Sequence, residues 1–537
     1  MIQFAVMRVR LAQIVVLAFF LIVLVTGLLV YKDYGIPWDE PDQIYIATQN
    51  QNYIFHHDPT LLSIRDRYYG MVFELPILWL TTYTSVPRHL LVYLVFFLGL
   101  IVFYFLAQRL LRSTWWSLFT TAMLAASPRI FADSFFNSKD IPFLIIGIAA
   151  VWTLVLLSDS IRRRGGGWSL AGLVILHSLM SAAMIGTRIP GVLIIPLTLF
   201  VLVVDLIQFP ASWVKIIPAF AGYVVLTTGL IILMWPILWN SPLTQFLAAF
   251  DKMSRLPYDI SMLFMGKFIL ASKLPWNYLP AWVGITTPMI VLAGFLPGVA
   301  GWLRLFWTGW RERNTGLPRR GQLLNTHTLN WTIVILWLAV PVAAVYHYHS
   351  VLYDGWRHMF FIYAPIVLIS TLGLKTVYQW LLNLIHRPIG IRIGFGLLMI
   401  VGLAEPVWFM ARYHPYENVY FNFLAGNPAT VRSRYEMDYW GLSYKQGIDY
   451  ILAHDPRPQI RIAVANNPGD FYIKDRLTRA QQARIVEVRD PSNADYFVTN
   501  FRWHPQDYPY PDEVFSALVR GETIMAVFRI QGVAKGP

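Results

Sequence analysis

LAQIVVLAFFLIVLVTGLLV, residues 11–30, is an unbroken apolar run early in the chain. A helix of this length rises about 30 Å, which matches the hydrocarbon core of a bilayer. Arg8 and Arg10 precede the run, as basic residues do in a secretory signal. A signal, however, has a shorter apolar core of about 7–15 residues and small residues at its cleavage site, and residues 31–34 offer no such site. The run therefore predicts an uncleaved first membrane helix.

The whole chain has the composition of a membrane protein. Of its 537 residues, 56% are hydrophobic and 14% are charged, and the mean hydropathy is +0.50, whereas soluble domains carry about 25% charged residues. The net charge of +13 comes from basic residues in short loops between apolar runs, which is typical of topology determinants and argues against a nucleic-acid partner. The chain has no cysteines, so disulfide and thiolate chemistry are excluded.

Apolar runs of spanning length recur as far as residue 411. We predict crossings at 11–30, 88–108, 114–131, 141–157, 168–187, 189–208, 214–235, 282–303, 328–346, 359–381 and 393–411. A further apolar segment, 71–83, is short and carries Glu74 and Pro76. The predicted fold is an all-α polytopic membrane bundle of about eleven transmembrane helices.

The basic loops predict the orientation of this bundle. If 71–83 does not cross, nearly every basic cluster falls on one side, as the positive-inside rule expects of the cytoplasmic face. If it does cross, all clusters after Arg10 move outside. The N-terminus is therefore expected inside, the C-terminus outside, and 71–83 in an interfacial or re-entrant helix. The inside clusters are Arg8 and Arg10, Arg109 and Arg112, Arg162, Arg163 and Arg164, Lys215, Arg304, Arg311, Arg313, Arg319 and Arg320, and Arg387 and Arg392.

The character of the sequence changes after residue 411. A helix-like stretch at 443–454 is followed by strand-like runs at 460–465, 484–488, 495–499 and 524–530, with Pro, Asn and Gly between them. This alternation predicts a small α/β domain. We expect residues 1–411 to form a transmembrane domain with outside loops 31–87 and 236–281, and residues 412–537 to form a soluble extracytoplasmic domain.

Acidic residues cluster at two predicted outer helix ends. Asp39, Glu40 and Asp42 follow the first helix, and Asp140 opens a later one directly after Lys139. One interpretation is a catalytic base or a metal site at the outer leaflet. The other is helix capping, because aspartate commonly accepts backbone N–H bonds at a helix start.

Two cations lie on the predicted outer face, against the inside bias. Arg188 separates two apolar runs, and Arg357 precedes a late crossing together with His358. Such cations suit an anionic phosphate, although a single arginine at a helix end can also snorkel to lipid headgroups. Pairs of histidines at His56 and His57 and at His347 and His349 match no zinc pattern, and the need for a divalent metal stays open.

Taken in order, these motifs resemble the C-type (GT-C) membrane glycosyltransferases. Asp39-Glu40 after the first helix, Lys139-Asp140 at the start of a later one and Arg357-His358 before a late crossing carry the resemblance. It points most closely to the dolichyl-phosphate-mannose protein mannosyltransferase and aminoarabinose transferase group. The stretches 420–426 and 436–441 are similar to bacterial members with an outside C-terminal domain.

The resemblance implies roles for these residues. In such enzymes Asp39 would be the catalytic base, with Glu40 beside it and Asp140 as a second acidic position. Arg357, His358, Arg188 and Lys139 would hold the donor phosphate, although the family often has a lysine in place of Arg188.

The function implied is sugar transfer from a polyprenyl-phosphate donor to a glycan, lipid or protein acceptor outside the inner (plasma) membrane. An acceptor hydroxyl needs a base, whereas a polyprenyl phosphate leaves as a stable anion, so carboxylates and cations would be sufficient for an inverting displacement. A transporter or flippase for lipid-linked glycans is the alternative. Such a protein would carry charges in mid-helix and often repeated halves, whereas the predicted helix interiors here are nearly free of charge and no repeat is visible.

Overall fold

The computed structural model describes residues 2–84, 86–162, 168–209, 212–254, 259–314, 324–385 and 388–530. The chain there is mostly helical, with strands confined to one hairpin and one C-terminal sheet. The helices are α1 Ile2–Val30, α2 Glu40–His56, α3 Glu74–Thr84, α4 Arg88–Leu111, α5 Thr114–Ala125, α6 Pro128–Phe136, α7 Asp140–Arg162, α8 Trp168–Ile185, α9 Ile194–Gln208, α10 Trp213–Met234, α11 Pro242–Ser254, α12 Tyr278–Thr286, α13 Met289–Asn314, α14 Thr326–Tyr348, α15 Tyr363–Leu384, α16 Pro388–Tyr413, α17 Tyr444–His454, α18 Asn467–Asp475 and α19 Arg479–Gln482. The strands are β1 Ser261–Phe264, β2 Lys267–Leu270, β3 Ile460–Val464, β4 Ile485–Glu487, β5 Tyr496–Thr499, β6 Glu513–Val519 and β7 Glu522–Arg529.

Within the described ranges, 9 helices are long and apolar enough to cross a membrane by length and composition, as expected of a multi-pass membrane protein. The predicted crossing at 168–187 is α8, which is apolar but shorter. The predicted crossing at 114–131 is not one continuous helix: α5 ends at Ala125 and α6 begins at Pro128. Proline disfavours helical geometry in the residue before it and lacks the N–H that would continue the ladder, which explains the break.

The short segment at 71–83 is helix α3, of 11 residues. At about 1.5 Å per residue it covers about 17 Å, too little to span the hydrocarbon core. Its first residue, Glu74, is buried and accepts hydrogen bonds from Arg88 at the start of α4 and from Ser138 before α7. These contacts tie α3 to the same end of the bundle as the start of α7.

Helices α13 and α15 pack with their backbones in close contact. A Cβ on Gly298 would lie 1.9 Å from the carbonyl oxygen of Ile369, and one on Gly373 would lie 2.0 Å from that of Gly294. Only glycine fits at such distances, and small residues spaced four apart allow membrane helices to approach in this way. The contact fixes α15, and with it the 3-10 helix Arg357–Ile362 from which α15 continues.

The C-terminal segment contains the mixed α/β structure that the sequence predicts. Its sheet has the strand order β4-β3-β5-β7-β6, in which β3 runs parallel to both neighbours and β7 antiparallel to both of its own. Helix α17 and four of the strands match predicted elements, whereas β6, α18 and α19 were not predicted. The boundary at residue 411 stays a prediction.

A β-hairpin interrupts the predicted outside loop 236–281, for which no strand was predicted. Strands β1 and β2 pair in antiparallel register from Ser261 and Leu270 to Phe264 and Lys267. Between them, Met265 and Gly266 have φ angles of 52° and 81°, as a tight hairpin turn requires. Phe264 bridges to Tyr435, so the hairpin contacts the segment that precedes the C-terminal sheet.

The two ends of the bundle carry separate groups of ion pairs. At the end predicted to be cytoplasmic, Arg109 pairs with Asp159 and Arg162 pairs with Asp205. At the other end, where α7 begins, contacts join Asp39, Lys139, Asp140, Arg188 and Arg357. Of the residues assigned to the inside clusters, Arg163, Arg164, Arg319, Arg320 and Arg387 lie outside the described residues, as do the side chains of Arg8 and Arg313.

Candidate functional site

Asp39 lies where the first outer loop meets two cations from distant parts of the chain. One carboxylate oxygen, Oδ2, is 2.7 Å from Lys139 Nζ and 2.9 Å from Arg357 Nη1. The Asp39 side chain is 26% exposed, against 10% for Lys139 and 1% for Arg357. Asp39 is therefore the member of this trio that an incoming molecule reaches most readily.

The position of Asp39 also bears on the capping interpretation. Asp39 is the N-cap of α2, but its side chain makes no capping hydrogen bond. Burial disfavours the charged carboxylate, but the charges of Lys139 and Arg357 outweigh that effect and hold the pKa of Asp39 well below its usual range. The side chain is therefore an ionised carboxylate committed to cations rather than to the helix start.

Asp140 is held from both sides at the start of α7. Asn137 donates to Asp140 Oδ2 at 2.9 Å and accepts from the Asp140 backbone N–H at 2.9 Å, so the amide of Asn137 caps the helix. Asp140 pairs with Arg188 through Oδ1 and lies 3.4 Å from Arg357 Nη1 through Oδ2. The Asp140 carboxylate thus joins Arg188 to the same cluster as Asp39.

Arg357 is the centre of the cluster. Besides Asp39 and Asp140, its guanidinium contacts Asp354, with Nη2 3.2 Å from Oδ2. Asp354 and Gly355 both have positive φ angles, 56° and 70°, and this left-handed turn, which Asp and Gly adopt most easily, brings the acid back onto the arginine. The ring of Trp440 lies 4.6 Å from the guanidinium carbon, which gives the buried cation an aromatic face as well.

Glu40 lies next to Asp39 in sequence, but its carboxylate belongs to a different set of contacts. Oε2 is 3.0 Å from His89 Nε2, and Oε1 is 2.6 Å from Arg476 Nη2. Burial opposes ionisation, but His89 and then Arg476 and Arg88 lower the pKa of Glu40 to about 2. The structure therefore separates the two neighbouring acids: Asp39 joins the Arg357 cluster and Glu40 does not.

His358 and Arg357 each have a nitrogen atom without a hydrogen-bond partner. His358 Nδ1 and Arg357 Nε are buried and make no hydrogen bond in the described structure. Buried polar atoms without partners are uncommon, so both nitrogens are candidates to contact a ligand. The His358 ring also lies edge-on to Tyr353, with centroids 4.4 Å apart.

An apolar cavity of about 210 Å³ lies between α7, α8, α9 and α14. Pro190 and Phe361 line it, and each follows a cation of the cluster by a few residues. Other lining residues are Val151, Met184, Leu193, Ile194, Pro196, Leu197, Phe200, Leu336, Trp337, Val340 and Pro341. An apolar cavity thus lies within a few residues, along the chain, of two cations of the cluster.

The described residues contain no group of three or more His, Cys, Asp or Glu side chains that could hold a metal ion. His57 and His349 end helices α2 and α14 in left-handed conformations. Asp58 accepts from Thr60 at the start of a 3-10 helix. These residues have local structural roles. Whether the protein needs a divalent metal stays open.

The structure adds residues that the sequence did not single out as site residues. Asp354 lies three residues before Arg357, in a stretch that the sequence analysis noted only for Arg357 and His358. The neighbouring Gly355 was the one sequence feature that indicated a turn there. Arg502, Arg476 and Trp440 come from the C-terminal segment. Nothing in the local pattern of that segment indicates that these side chains reach the membrane domain.

No known family model matches the chain, and no curated protein is similar to it in sequence. Among solved structures, the chain is similar to the oligosaccharyltransferase AglB from Archaeoglobus fulgidus, in complex with an inhibitory peptide and a dolichol-phosphate. The identity is 12% over 90% of this chain and 69% of that one, with a TM-score of 0.48. It is also similar to ArnT from Cupriavidus metallidurans bound to undecaprenyl phosphate, with 14% identity over 98% of this chain and 99% of that one and a TM-score of 0.45.

Both of these proteins are C-type membrane glycosyltransferases, the class that the loop motifs resemble. Since both TM-scores lie below 0.5, the function proposed below rests on the residues of this chain.

Proposed function

We propose that the protein is an integral membrane glycosyltransferase that moves a sugar from a polyprenyl-phosphate donor to an acceptor at the outer face of the membrane. One observation carries the proposal. Asp39, Lys139, Asp140, Arg188 and Arg357 come from four separate parts of the sequence and meet in one ion-pair cluster at one end of the bundle. This arrangement places an accessible carboxylate directly beside cations suited to a phosphate.

The chemistry requires both parts of the cluster. An acceptor hydroxyl becomes an effective nucleophile when a positioned carboxylate takes its proton, a contribution of about 10²–10⁴-fold. The bond from the sugar to the phosphate oxygen breaks as the acceptor oxygen attacks from the opposite face, so the sugar configuration inverts. The polyprenyl phosphate leaves as an anion, and cations held near the leaving oxygen stabilise its developing charge.

The low pKa of Asp39 suggests how donor binding prepares the base. While Lys139 and Arg357 contact the carboxylate, they favour its ionised form and make it a weak base. A donor phosphate competes for the same two cations. As they turn to the phosphate, the pKa of Asp39 rises towards its ordinary value and the carboxylate accepts a proton more readily.

The apolar cavity offers a place for the lipid part of the donor. It is lined almost wholly by aliphatic and aromatic side chains and borders the sequence positions of Arg188 and Arg357. A polyprenyl chain lying there would present its phosphate to Arg188 and to the unpartnered nitrogens of His358 and Arg357. Donor recognition would then depend on the carrier as much as on the sugar.

A lipid-linked glycan flippase remains the second candidate, because it too would bind a polyprenyl phosphate. A flippase must carry its polar cargo across the membrane, which favours charged residues along the path. Here the cluster lies at helix ends, at one end of the bundle. The accessible Asp39 has no function in such transport but has one in transfer.

Mass spectrometry of lipid-linked sugars and surface glycans in a deletion strain, followed by reconstitution with the lipid that accumulates, distinguishes the two functions. We expect one lipid-linked sugar to accumulate and one glycan, lipid or protein to lose that sugar. The purified protein should then form the new glycosidic bond with inversion and release polyprenyl phosphate. Accumulation in cells without bond formation by the purified protein would instead indicate a flippase.

A further inference from the structure

The C-terminal segment reaches into the candidate donor site through Arg502. This arginine follows β5 and is 5% exposed at its side chain. Its Nη2 is 2.6 Å from Asp354 Oδ1, and its Nη1 donates to the backbone oxygen of Tyr439. The rings of Trp38 and Trp503 lie 5.2 and 4.6 Å from its guanidinium carbon. Arg502 is therefore held in one place by packing as well as by charge.

Asp354 connects this arginine to the centre of the site. One of its oxygens faces Arg502 and the other faces Arg357 at 3.2 Å. The side chains of Arg502, Asp354 and Arg357 are all at most 7% exposed. A carboxylate this well shielded from water interacts strongly with whichever cations contact it, so the charge that Asp354 exerts on Arg357 depends on Arg502.

A count of charges shows what Arg502 supplies. The network joined by direct contacts holds four cations, Lys139, Arg188, Arg357 and Arg502, and three carboxylates, Asp39, Asp140 and Asp354. Without Arg502 the network would hold three cations and three carboxylates, so the charges would balance. Arg357 would still contact all three carboxylates, and Asp354 would have no second cation. The single excess positive charge that would attract a phosphate depends on a residue outside the membrane bundle.

We propose that Arg502 is a positioning residue for donor binding: it neutralises Asp354 and so leaves Arg357 available to the donor phosphate. This inference rests on the function proposed above and adds that the C-terminal domain is part of the donor site. Two further contacts join the same domain to the site. Arg476 pairs with Glu40, next to the proposed base, and Trp440 covers the guanidinium of Arg357.

The test measures binding of a polyprenyl phosphate, without a sugar, to purified full-length protein. Arg502→Gln should weaken binding about 10-fold, the order of one charge-assisted contact. Arg502→Lys keeps the charge and should recover much of the affinity. The decisive variant is the double substitution Asp354→Asn with Arg502→Gln. It removes both the carboxylate and its neutralising cation, restores the excess positive charge, and should bind better than Arg502→Gln alone.

Arg457→Gln is the matched control, because Arg457 pairs with Asp455 and Asp495 within the same C-terminal domain. It should bind like the wild type. If the double variant binds no better than Arg502→Gln, Arg502 has only a structural role and the inference is wrong. If Arg357→Ala loses affinity while Arg502→Gln keeps it, the inference fails but the phosphate site stands. If neither variant loses affinity, the phosphate site itself is wrong.

Discussion

Replacement of Arg357 by alanine tests the proposed phosphate site. The guanidinium is buried and contacts Asp39, Asp140 and Asp354 at 2.9, 3.4 and 3.2 Å. Each of these acids keeps a second cation when Arg357 is removed, namely Lys139, Arg188 and Arg502 respectively. We therefore expect the variant to insert and fold, and its defect to concern the ligand.

The size of the effect follows from the contact that is lost. A hydrogen bond to a charged group contributes about 1.5–3 kcal/mol, which corresponds to about 10- to 100-fold in affinity. Arg357→Ala should therefore weaken polyprenyl phosphate binding by about that factor. Arg357→Lys should restore only part of it, because a lysine lacks the two-pronged geometry of the guanidinium.

Titration calorimetry or scintillation proximity with a labelled polyprenyl phosphate gives the affinity directly. Thermal unfolding of each variant in the same detergent supplies the control for folding. An Arg357→Ala protein with wild-type stability and wild-type affinity would refute the assignment of the phosphate to this cluster.

Three further predictions concern the surroundings of the site and the orientation of the chain. A reporter that is active only in the cytoplasm, fused after Pro537, should be silent; a strong signal would reverse the predicted topology. Glu40→Gln should reduce stability in thermal unfolding more than it reduces activity in transfer assays, because its carboxylate contacts His89 and Arg476. Asp140→Asn should reduce turnover to a level between those of Glu40→Gln and Asp39→Asn, and equal loss of turnover in Glu40→Gln and Asp140→Asn would contradict the placement of Glu40 outside the Arg357 cluster. Burial lowers the pKa of His414, but its bonds to Glu417 and Asp33 outweigh burial and raise the pKa to about 9. The contribution of His414 to the free energy of unfolding is therefore complete below about pH 6.5 and disappears as the pH rises through about 9. Thermal unfolding should accordingly show a larger deficit of His414→Gln at pH 6 than at pH 9.5, and a constant deficit would exclude this linkage.

The sequence predicted the parts of the fold that depend on local pattern. Long apolar runs such as 11–30 and 393–411 are helices because only a helix satisfies its own backbone in a lipid environment. The break between α5 and α6 was missed, since apolar composition hides the effect of Pro128. The hairpin β1–β2 was missed as well, because two strands of 4 residues are too short for a periodic signal.

The residues of the candidate site likewise divide into those that local sequence pattern predicts and those that it does not. Asp39, Lys139, Asp140, Arg188 and Arg357 stood out because each carries a charge at a helix end, where an apolar neighbourhood makes it conspicuous. Contacts between segments hundreds of residues apart leave no such pattern. Arg502 lies in the loop after β5, and only tertiary packing brings it to Asp354.

Single-turnover transfer by purified Asp39→Asn protein tests the central claim most directly. Asparagine keeps the shape of the side chain and its capacity to start a helix, but it cannot take the acceptor's proton. With the lipid-linked sugar identified in the deletion strain, we expect this variant to fold and to bind polyprenyl phosphate, while transfer falls by about 10²–10⁴-fold. Transfer at a near-normal rate would remove Asp39 as the base and leave the acidic turn as the start of α2.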